Sequence, residues 1–230
     1  MPFGRVSIRC SGRCSGSGVR ACYGVGGAAL IQGNHMDRIA EIERKTNETE
    51  IVLSINIDGT GKNRISTGIP FFDHMLTVFS VHGFFDLEIE ASGDIEVDFH
   101  HTVEDVGIVL GDAVSKAIGD KKGISRYGHA ATPMDETLGI VDIDLSGRPF
   151  LVYNLPDKIN PATGFNAYLA KEFFRSVANR GAMNLHVNVL YGENDHHVIE
   201  SVFKSFGRAL DQATRIDERI KNIRSSKGSF

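Results

Sequence analysis

The sequence predicts an α+β fold built from two duplicated halves, each a small sheet with two helices on one face. The pattern His-His-x-x-Glu occurs at 100–104 and again, ninety-six residues later, at 196–200. Each copy opens a stretch in which apolar residues recur at helical spacing, and each follows a stretch with the alternation of a β-strand. Because the same order of elements occurs twice, we expect the halves to be related by duplication.

The first half contains a strand, a helix, a second strand and then the first motif. Alternating apolar residues at 51–57 predict a strand that ends at the turn 58–61. The spacing of Phe71 to Val81 predicts a helix that is closed by His82-Gly83. Alternation at 87–91 predicts the next strand, which leads into the helix of the first motif.

The second half repeats this order. Strands are predicted at Leu138–Leu145 and Phe150–Tyr153, and a helix at Ala167–Asn179. Leu185, Val187 and Val189 alternate as a strand before the second motif. The helix that follows this motif has one apolar face, formed by Val198, Val202, Phe206, Ala209 and Ala213.

Residues 1–36 form a leader with no apolar periodicity, which we expect not to pack. The leader contains four Arg and no acid, so an organelle transit peptide, here a plastid one, is one interpretation. The other is that Met36 is the start and that the upstream residues do not belong to the natural product. The abrupt onset of patterned sequence at Asp37 favours the second interpretation.

The charge and cysteine content exclude several classes of function. The formal net charge of the whole chain is −4 and that of the leader is +4, so the net charge of the body is −8. Such an acidic body argues against nucleic acid as a partner. No apolar run approaches the roughly 18 residues of a membrane span, so no membrane partner is expected. All three Cys lie in the leader, so we expect no disulfide framework in the body and a cytoplasmic location.

The paired histidines predict a metal site. Adjacent residues on an α-helix diverge by about 100°, so one motif cannot easily aim both imidazoles at one ion. Two ions, each with ligands from both motifs, would use all of these side chains. The alternative is a polar helix start in which the Glu supports a capping box. Two copies with the same spacing favour the metal site.

Aligning the halves on His82-Gly83 and Arg180-Gly181 extends the ligand set, because it places His74 opposite Glu172. Four protein ligands per ion would leave two octahedral positions open for substrate or water. Glu172 taken alone could equally be a solvated helix residue. The eight candidate metal ligands are His74, His100, His101, Glu104, Glu172, His196, His197 and Glu200.

Six motifs occur in order along the body of the chain. They are Arg44–Thr49, Gly68–Met75, Val97–Asp105, Met134–Glu136, Gly192–His197 and Phe203-Lys204. Together they resemble the imidazoleglycerol-phosphate dehydratases of histidine biosynthesis. The resemblance implies one dehydratase domain at 37–230, with pseudo-repeats at about 37–122 and 123–220, a phosphate-binding tail at 221–230 and a fold of the ribosomal protein S5 domain 2-like type.

The resemblance also implies the reaction, in which imidazole glycerol phosphate loses water to give imidazole acetol phosphate. It further implies two Mn²⁺ per active site and an assembly of 24 subunits with sites at subunit contacts. Glu48 is then the residue that moves the carbon-bound proton; from the pattern alone it is a polar residue in a strand-like stretch. The implied catalytic residues are Glu48, His74, His101, Glu104, His197 and Glu200.

Cations and polar groups that match the family are expected to bind the substrate and its phosphate, although any one of them could be a solvated surface base. The implied substrate-binding residues are Glu48, His74, His82, His100, Glu104, Arg126, Arg148, His196, Lys204, Ser225, Ser226, Lys227 and Gly228. His82 also fits a helix end, where it would complement the helix dipole.

Other titratable residues near the motifs are interpreted differently. Asp73 and Asp105 are either carboxylates that orient the ligand imidazoles or ordinary acids at helix starts. His35, His129 and His186 are not expected to bind metal, and His129 lies in a loop-like run.

The sequence departs from the family pattern at one position, and two functions other than dehydration are alternatives. Many relatives have His where this chain has Glu172, which adds negative charge to that site, and Mn²⁺ accepts both nitrogen and oxygen ligands. A dinuclear phosphate-ester hydrolase could use the same ligands. Metals that only hold subunits together are the second rival.

Overall fold

The computed structural model describes residues 38–156 and 164–228, and the predictions for the leader at 1–36 and for 229–230 lie outside them. The predicted α+β fold of duplicated halves is confirmed. The strands are β1 (Ile39–Lys45), β2 (Thr49–Asn56), β3 (Asn63–Ser66), β4 (Asp86–Gly93), β5 (Tyr127–Met134), β6 (Thr137–Asp144), β7 (Phe150–Asn154) and β8 (Asn184–Tyr191). The helices are α1 (Pro70–Gly83), α2 (His100–Ile118), α3 (Ala167–Arg180) and α4 (Asp195–Thr214).

The two sheets have the same topology. The first has the order β1-β2-β4-β3 and the second the order β5-β6-β8-β7. In each sheet the first two pairings are antiparallel, and the last pairing is parallel because a helix, α1 or α3, crosses between its two strands. The remaining helix, α2 or α4, follows the sheet and begins with a His-His motif or directly before one.

The halves meet through their helices. α1 packs on α4 and α2 packs on α3, while α2 covers β1 and β2 and α4 covers β5 and β6. Burial of apolar surface between these layers is the main stabilising contribution. The largest buried side chains of this core are aromatic and include Phe72, Phe79, Phe85, Phe165, Phe173, Phe174, Phe203 and Phe206.

Two glycines allow the helices of different halves to approach closely. A Cβ at Gly107 of α2 would lie 2.7 Å from the carbonyl oxygen of Phe173 on α3. A Cβ at Gly207 of α4 would lie 2.5 Å from the carbonyl oxygen of Phe79 on α1. Any larger side chain would separate the helix pairs, so these positions set how near the motifs of the two halves can come.

Three strands were not predicted, namely β1, β3 and β5. The expectation that His129 lies in a loop-like run was wrong, since His129 lies on β5, paired with Asp142 of β6. Within the described residues, no helix is both long and apolar enough to span a membrane.

Candidate active site

Three predicted ligands meet where α1 packs against the start of α4. Asn194 caps α4 and accepts a hydrogen bond from the backbone N–H of His196, so the motif begins on the first turn. His196 Nε2 lies 3.0 Å from Glu200 Oε2, and His74 Nε2 lies 3.5 Å from the same oxygen. The three ligand atoms all lie within 4.8 Å of one another. Two imidazoles and a carboxylate are a donor set that fits Mn²⁺, and we call His74, His196 and Glu200 the second-motif cluster.

Glu200 is the buried member of this cluster, with its side chain 8% exposed. Its other oxygen, Oε1, lies 2.6 Å from Lys204 Nζ, one turn further along α4. Burial alone would raise the pKa of Glu200, but the hydrogen bond and charge of Lys204, together with His196 and His74, outweigh burial and lower it. The carboxylate is therefore ionised and able to bind a cation.

The first motif is less completely assembled. His100 Nε2 lies 3.5 Å from Glu104 Oε2, which repeats the spacing of the second motif. Glu172 is buried on α3 and forms an ion pair with Arg175. Among the described residues, Glu172 does not join His100 and Glu104 in a group as tight as the second-motif cluster. Ligation by Glu172 stays a prediction.

The second histidine of each motif has its ring roughly perpendicular to the first and has its own carboxylate partner. The rings of His100 and His101 are inclined by 82°, and those of His196 and His197 by 81°. His101 Nδ1 lies 3.0 Å from Asp94 Oδ2, and His197 Nδ1 lies 2.7 Å from Glu136 Oε2. A carboxylate on Nδ1 fixes the orientation of a ring and leaves Nε2 available as a ligand.

Sequence reasoning missed these two carboxylates. Of the two interpretations of Asp73 and Asp105, the structure favours the one in which neither acid orients an imidazole. Asp73 accepts hydrogen bonds from the backbone N–H and the hydroxyl of Thr67. Asp105 accepts from the hydroxyl of Thr49 and pairs with Arg44. Asp73 thus holds the segment before α1, whereas Asp105 joins α2 to β1 and β2. Among the described residues, neither acid is hydrogen-bonded to a ring nitrogen.

The hydrogen bonds to the rings also shift pKa values. The hydrogen bond with Asp94 raises the pKa of His101, against a smaller effect of desolvation, and the charge of Glu48 raises it further. The hydrogen bond from His197 lowers the pKa of Glu136 well below its usual range, aided by the backbone N–H groups of Asn194 and Glu193. Glu136 is therefore ionised under all physiological conditions.

Glu48 lies in the turn between β1 and β2, close to the first motif. Its backbone is fixed, because its N–H donates to Thr46 Oγ1 and its carbonyl accepts from the N–H of Asp94. Its side chain is 54% exposed, and Oε2 lies 3.9 Å from His101 Nδ1, beyond hydrogen-bond distance. A fixed backbone with an exposed carboxylate suits a group that carries a proton.

The predicted phosphate-binding residues are not all brought together. Arg126 pairs with Asp144 through Nε and Nη2, and its Nη1 donates to the carbonyl of Arg224 within the tail. Within the tail, the Ser225 hydroxyl accepts from the N–H of Lys227, and the N–H of Gly228 donates to the Ser225 carbonyl. Arg126 and the tail that contains Ser226 are thus adjacent.

The other substrate-binding candidates lie elsewhere. Arg148 lies in the turn before β7, where its carbonyl accepts from Asn184. His82 lies in the last turn of α1 with part of its ring exposed. The desolvation of the remaining part, together with the charges of Lys204 and Arg208, lowers the pKa of His82. These positions leave the phosphate-binding role of each as a prediction.

The fold and the site define a class of protein, namely a duplicated α+β protein that presents matched imidazole and carboxylate groups at a helix interface, as metal-assisted enzymes do. The family model for imidazoleglycerol-phosphate dehydratase matches residues 67–210. A relative named imidazoleglycerol-phosphate dehydratase from Desulfosudis oleivorans is 61% identical over 193 residues, covering 84% of this chain and 99% of the relative. One from Acetivibrio thermocellus is 58% identical with the same coverage.

Solved structures agree with the sequence relatives. The crystal structure of imidazoleglycerol-phosphate dehydratase from Staphylococcus aureus has a TM-score of 0.70 at 40% identity and covers 78% of this chain and 99% of its own. That of the Pyrococcus furiosus protein has a TM-score of 0.72 at 35% identity and covers 82% and 100%. The chain belongs to the imidazoleglycerol-phosphate dehydratase family, whose members are hydro-lyases.

Proposed function

We propose that this protein dehydrates D-erythro-imidazole glycerol phosphate to imidazole acetol phosphate in L-histidine biosynthesis, in a reaction that depends on divalent metal. The observation that carries the proposal is the convergence of His74, His196 and Glu200 in a chain that spans 99% of its relative from Desulfosudis oleivorans. The names of the relatives supply the substrate, and the cluster supplies the chemistry that this substrate requires.

The donor set supports Mn²⁺ as the metal, with two ions per site. The second-motif cluster would hold one ion, and His100, Glu104 and Glu172 would hold the other, with His101 and His197 completing the sets. When bound, the cations would act as Lewis acids that position the substrate's imidazole ring and polarise it. Glu172 and Glu200 are both buried carboxylates, and a cation would offset the cost of burying such charge.

The protein's own residues then perform the proton transfers. Dehydration breaks the C–O bond of the hydroxyl next to the ring and removes a proton from the neighbouring carbon, and the enol that results becomes the ketone by proton transfer. Glu48 is the carboxylate that takes the carbon-bound proton, because its side chain is exposed and makes no hydrogen bond within the described part of the chain, while its backbone is fixed. His101 lies beside Glu48 and is itself held by Asp94.

The position of His101 and His197 outside the second-motif cluster supports sites that are completed at subunit contacts. Both rings lie roughly perpendicular to their neighbours in the motifs, and among the described residues neither His101 nor His197 belongs to the tight group of His74, His196 and Glu200. In a homo-oligomer, which we propose to have 24 subunits, these nitrogens would serve ions held by a neighbouring chain.

Phosphate recognition is proposed for Arg126, Arg148, Lys204 and the tail segment Ser225, Ser226, Lys227 and Gly228. Arg126 already ties the tail to the body through the Arg224 carbonyl. Backbone N–H groups and cations at this place would bind a phosphate dianion.

A direct assay tests the proposed function against its rivals. Purified protein with Mn²⁺ and imidazole glycerol phosphate should form the ketone product and release no free phosphate. Free phosphate without ketone would support the phosphate-ester hydrolase instead. If the metals only hold subunits together, neither product forms and Glu48→Gln changes nothing, whereas the proposed role of Glu48 predicts that this variant loses turnover while remaining assembled.

A further inference from the structure

We propose that two equivalent glutamates of the duplicated halves have different roles. Glu136 is a positioning residue that fixes the ring of His197 for metal binding, whereas Asp94 performs this task for His101 and so leaves Glu48 free. This inference rests on the proposed function, because it assumes that His101 and His197 bind metal. It adds two residues, Asp94 and Glu136, to those that the reaction needs.

The equivalence of Glu48 and Glu136 follows from the sheets. Glu48 directly precedes β2 and Glu136 directly precedes β6, the corresponding strand of the other sheet. The far ends of these strands also correspond, because Asn56 pairs with Asp86 and Asp144 pairs with Asn184, the first residues of β4 and β8. Duplication therefore placed a glutamate in the same turn of each half.

In the second half, the carboxylate of Glu136 is fully occupied. Oε2 lies 2.7 Å from His197 Nδ1. Oε1 accepts hydrogen bonds from the backbone N–H groups of Glu193 and Asn194 at 3.2 and 3.1 Å. Glu136 thus joins the loop before α4 to the second histidine of the motif, and its carboxylate is committed to these partners.

In the first half, another residue holds the histidine. Both carboxylate oxygens of Asp94 lie close to His101 Nδ1, at 3.0 and 3.2 Å, while Glu48 Oε2 is 3.9 Å away. Asp94 and Glu193 occupy corresponding positions in the two halves, because each directly follows a glycine, Gly93 or Gly192. Glu193, however, is exposed. The two halves therefore use opposite members of an equivalent pair of acids. Among the described residues, this leaves Glu48 in the first half and Glu193 in the second without a hydrogen bond to a histidine ring.

The chemistry of imidazole explains why the residue that contacts Nδ1 matters for metal binding. A carboxylate on Nδ1 accepts the ring proton there and leaves the lone pair of Nε2 for a metal ion. An amide in the same place cannot satisfy both the ring N–H and the two loop N–H groups, since it has a single acceptor oxygen. Glu136→Gln keeps the size of the side chain and leaves at least one of its three donors unsatisfied. Asp94→Asn keeps an acceptor for His101 but removes the negative charge that makes the ring a stronger metal ligand.

The experiment compares four variants by Mn²⁺ binding to metal-free protein, measured by equilibrium dialysis, by thermal unfolding of the same metal-free samples, and by turnover. Glu136→Gln and Asp94→Asn should weaken Mn²⁺ binding at part of the sites by about 10- to 100-fold. Glu193→Gln, the matched loss of one charge on the same loop, should bind Mn²⁺ as the wild type does. Glu48→Gln should keep Mn²⁺ affinity and lose turnover.

The outcomes separate this inference from the proposed function. Mn²⁺ binding by Glu136→Gln and Asp94→Asn that equals that of the wild type would overturn the inference alone. Loss of Mn²⁺ affinity in Glu48→Gln together with normal affinity in Asp94→Asn would also overturn it. The expected binding pattern without ketone formation by the wild type would contradict the proposed function alone, and a wild type that binds no Mn²⁺ would contradict both.

Discussion

Glu200 and Lys204 form an ion pair of 2.6 Å on successive turns of α4, with side chains 8% and 17% exposed. The two oxygens of the Glu200 carboxylate therefore have different partners. Oε1 contacts Lys204, while Oε2 faces His196 and His74. Glu104, the corresponding residue of the first motif, is 35% exposed and lies close to His100. The two motifs are thus alike in their side chains but differ in how firmly the carboxylate is held.

This difference predicts different effects of removing the two carboxylates. Glu200→Gln should weaken Mn²⁺ binding and also destabilise metal-free protein by about 1–3 kcal/mol, because it leaves the buried charge of Lys204 unpaired. Glu104→Gln, the matched control, should weaken Mn²⁺ binding without a comparable loss of stability. Urea unfolding of both metal-free variants measures the contrast, and equal stability losses would count against it.

The close contact at Gly207 predicts that the second-motif cluster depends on helix spacing. Gly207→Ala places a Cβ 2.5 Å from the Phe79 carbonyl oxygen, so α1 must move away from α4. We expect a loss of about 1–3 kcal/mol and weaker Mn²⁺ binding, because His74 moves with α1. Gly164→Ala is the control, since the nearest atom to its Cβ would be 4.0 Å away on Phe99. Unchanged Mn²⁺ affinity in Gly207→Ala would show that helix spacing does not determine the geometry of the second-motif cluster.

Strong periodicity explains what the sequence could predict. The helices α1 to α4 and the strands β2, β4, β6, β7 and β8 were predicted because each has an apolar face that repeats at its own period. The duplicated motifs then located the candidate ligands. The pairing of Glu200 with Lys204 could also have been predicted, since the two residues are four apart on one helix face.

The missed elements depend on tertiary contacts that leave little local pattern. β3 has four residues and pairs only with β4, in parallel, so its polar sequence does not predict a strand. β5 contains Gly128, whose Cβ would lie 1.8 Å from the Ala209 carbonyl oxygen, because α4 packs directly on its backbone. Asp94 and Glu136 were missed because each reaches its histidine across a turn whose path the sequence does not reveal.

Asp86 predicts a pH dependence of stability that lies outside the active site. It accepts hydrogen bonds from the backbone N–H groups of Thr60 and Lys62 at 2.7 and 3.0 Å, which holds the turn between β2 and β3. Partial burial alone would raise the pKa of Asp86, but these hydrogen bonds, together with that of the Thr60 hydroxyl, outweigh it and lower the pKa below 3.8. Its stabilising contribution is therefore complete above pH 3.8 and is lost as the pH falls through the lowered value.

Asp86→Asn tests this dependence. At pH 7 the variant should be less stable by about 1 kcal/mol, or about 2–4 °C in melting temperature. The gap between variant and wild type should shrink as the pH falls below 4, because protonation removes the same charge from the wild type. Glu43→Gln, a charge loss on the exposed face of β1, should show no such gap. A gap that stays constant from pH 7 to pH 3 would contradict the role of the Asp86 charge.

Removal of metal should break the proposed assembly into smaller species. If His101 and His197 complete sites on neighbouring chains, each bound ion couples metal affinity to subunit association, and a chelator removes both together. Light scattering after size-exclusion chromatography should show a large particle with Mn²⁺, smaller species after chelation and recovery on adding Mn²⁺. His197→Ala should lower the particle size even with Mn²⁺ present, whereas His186→Ala, which removes an exposed imidazole from the outer face of β8, should not. A particle of constant size after complete removal of metal would mean that association does not depend on these ligands.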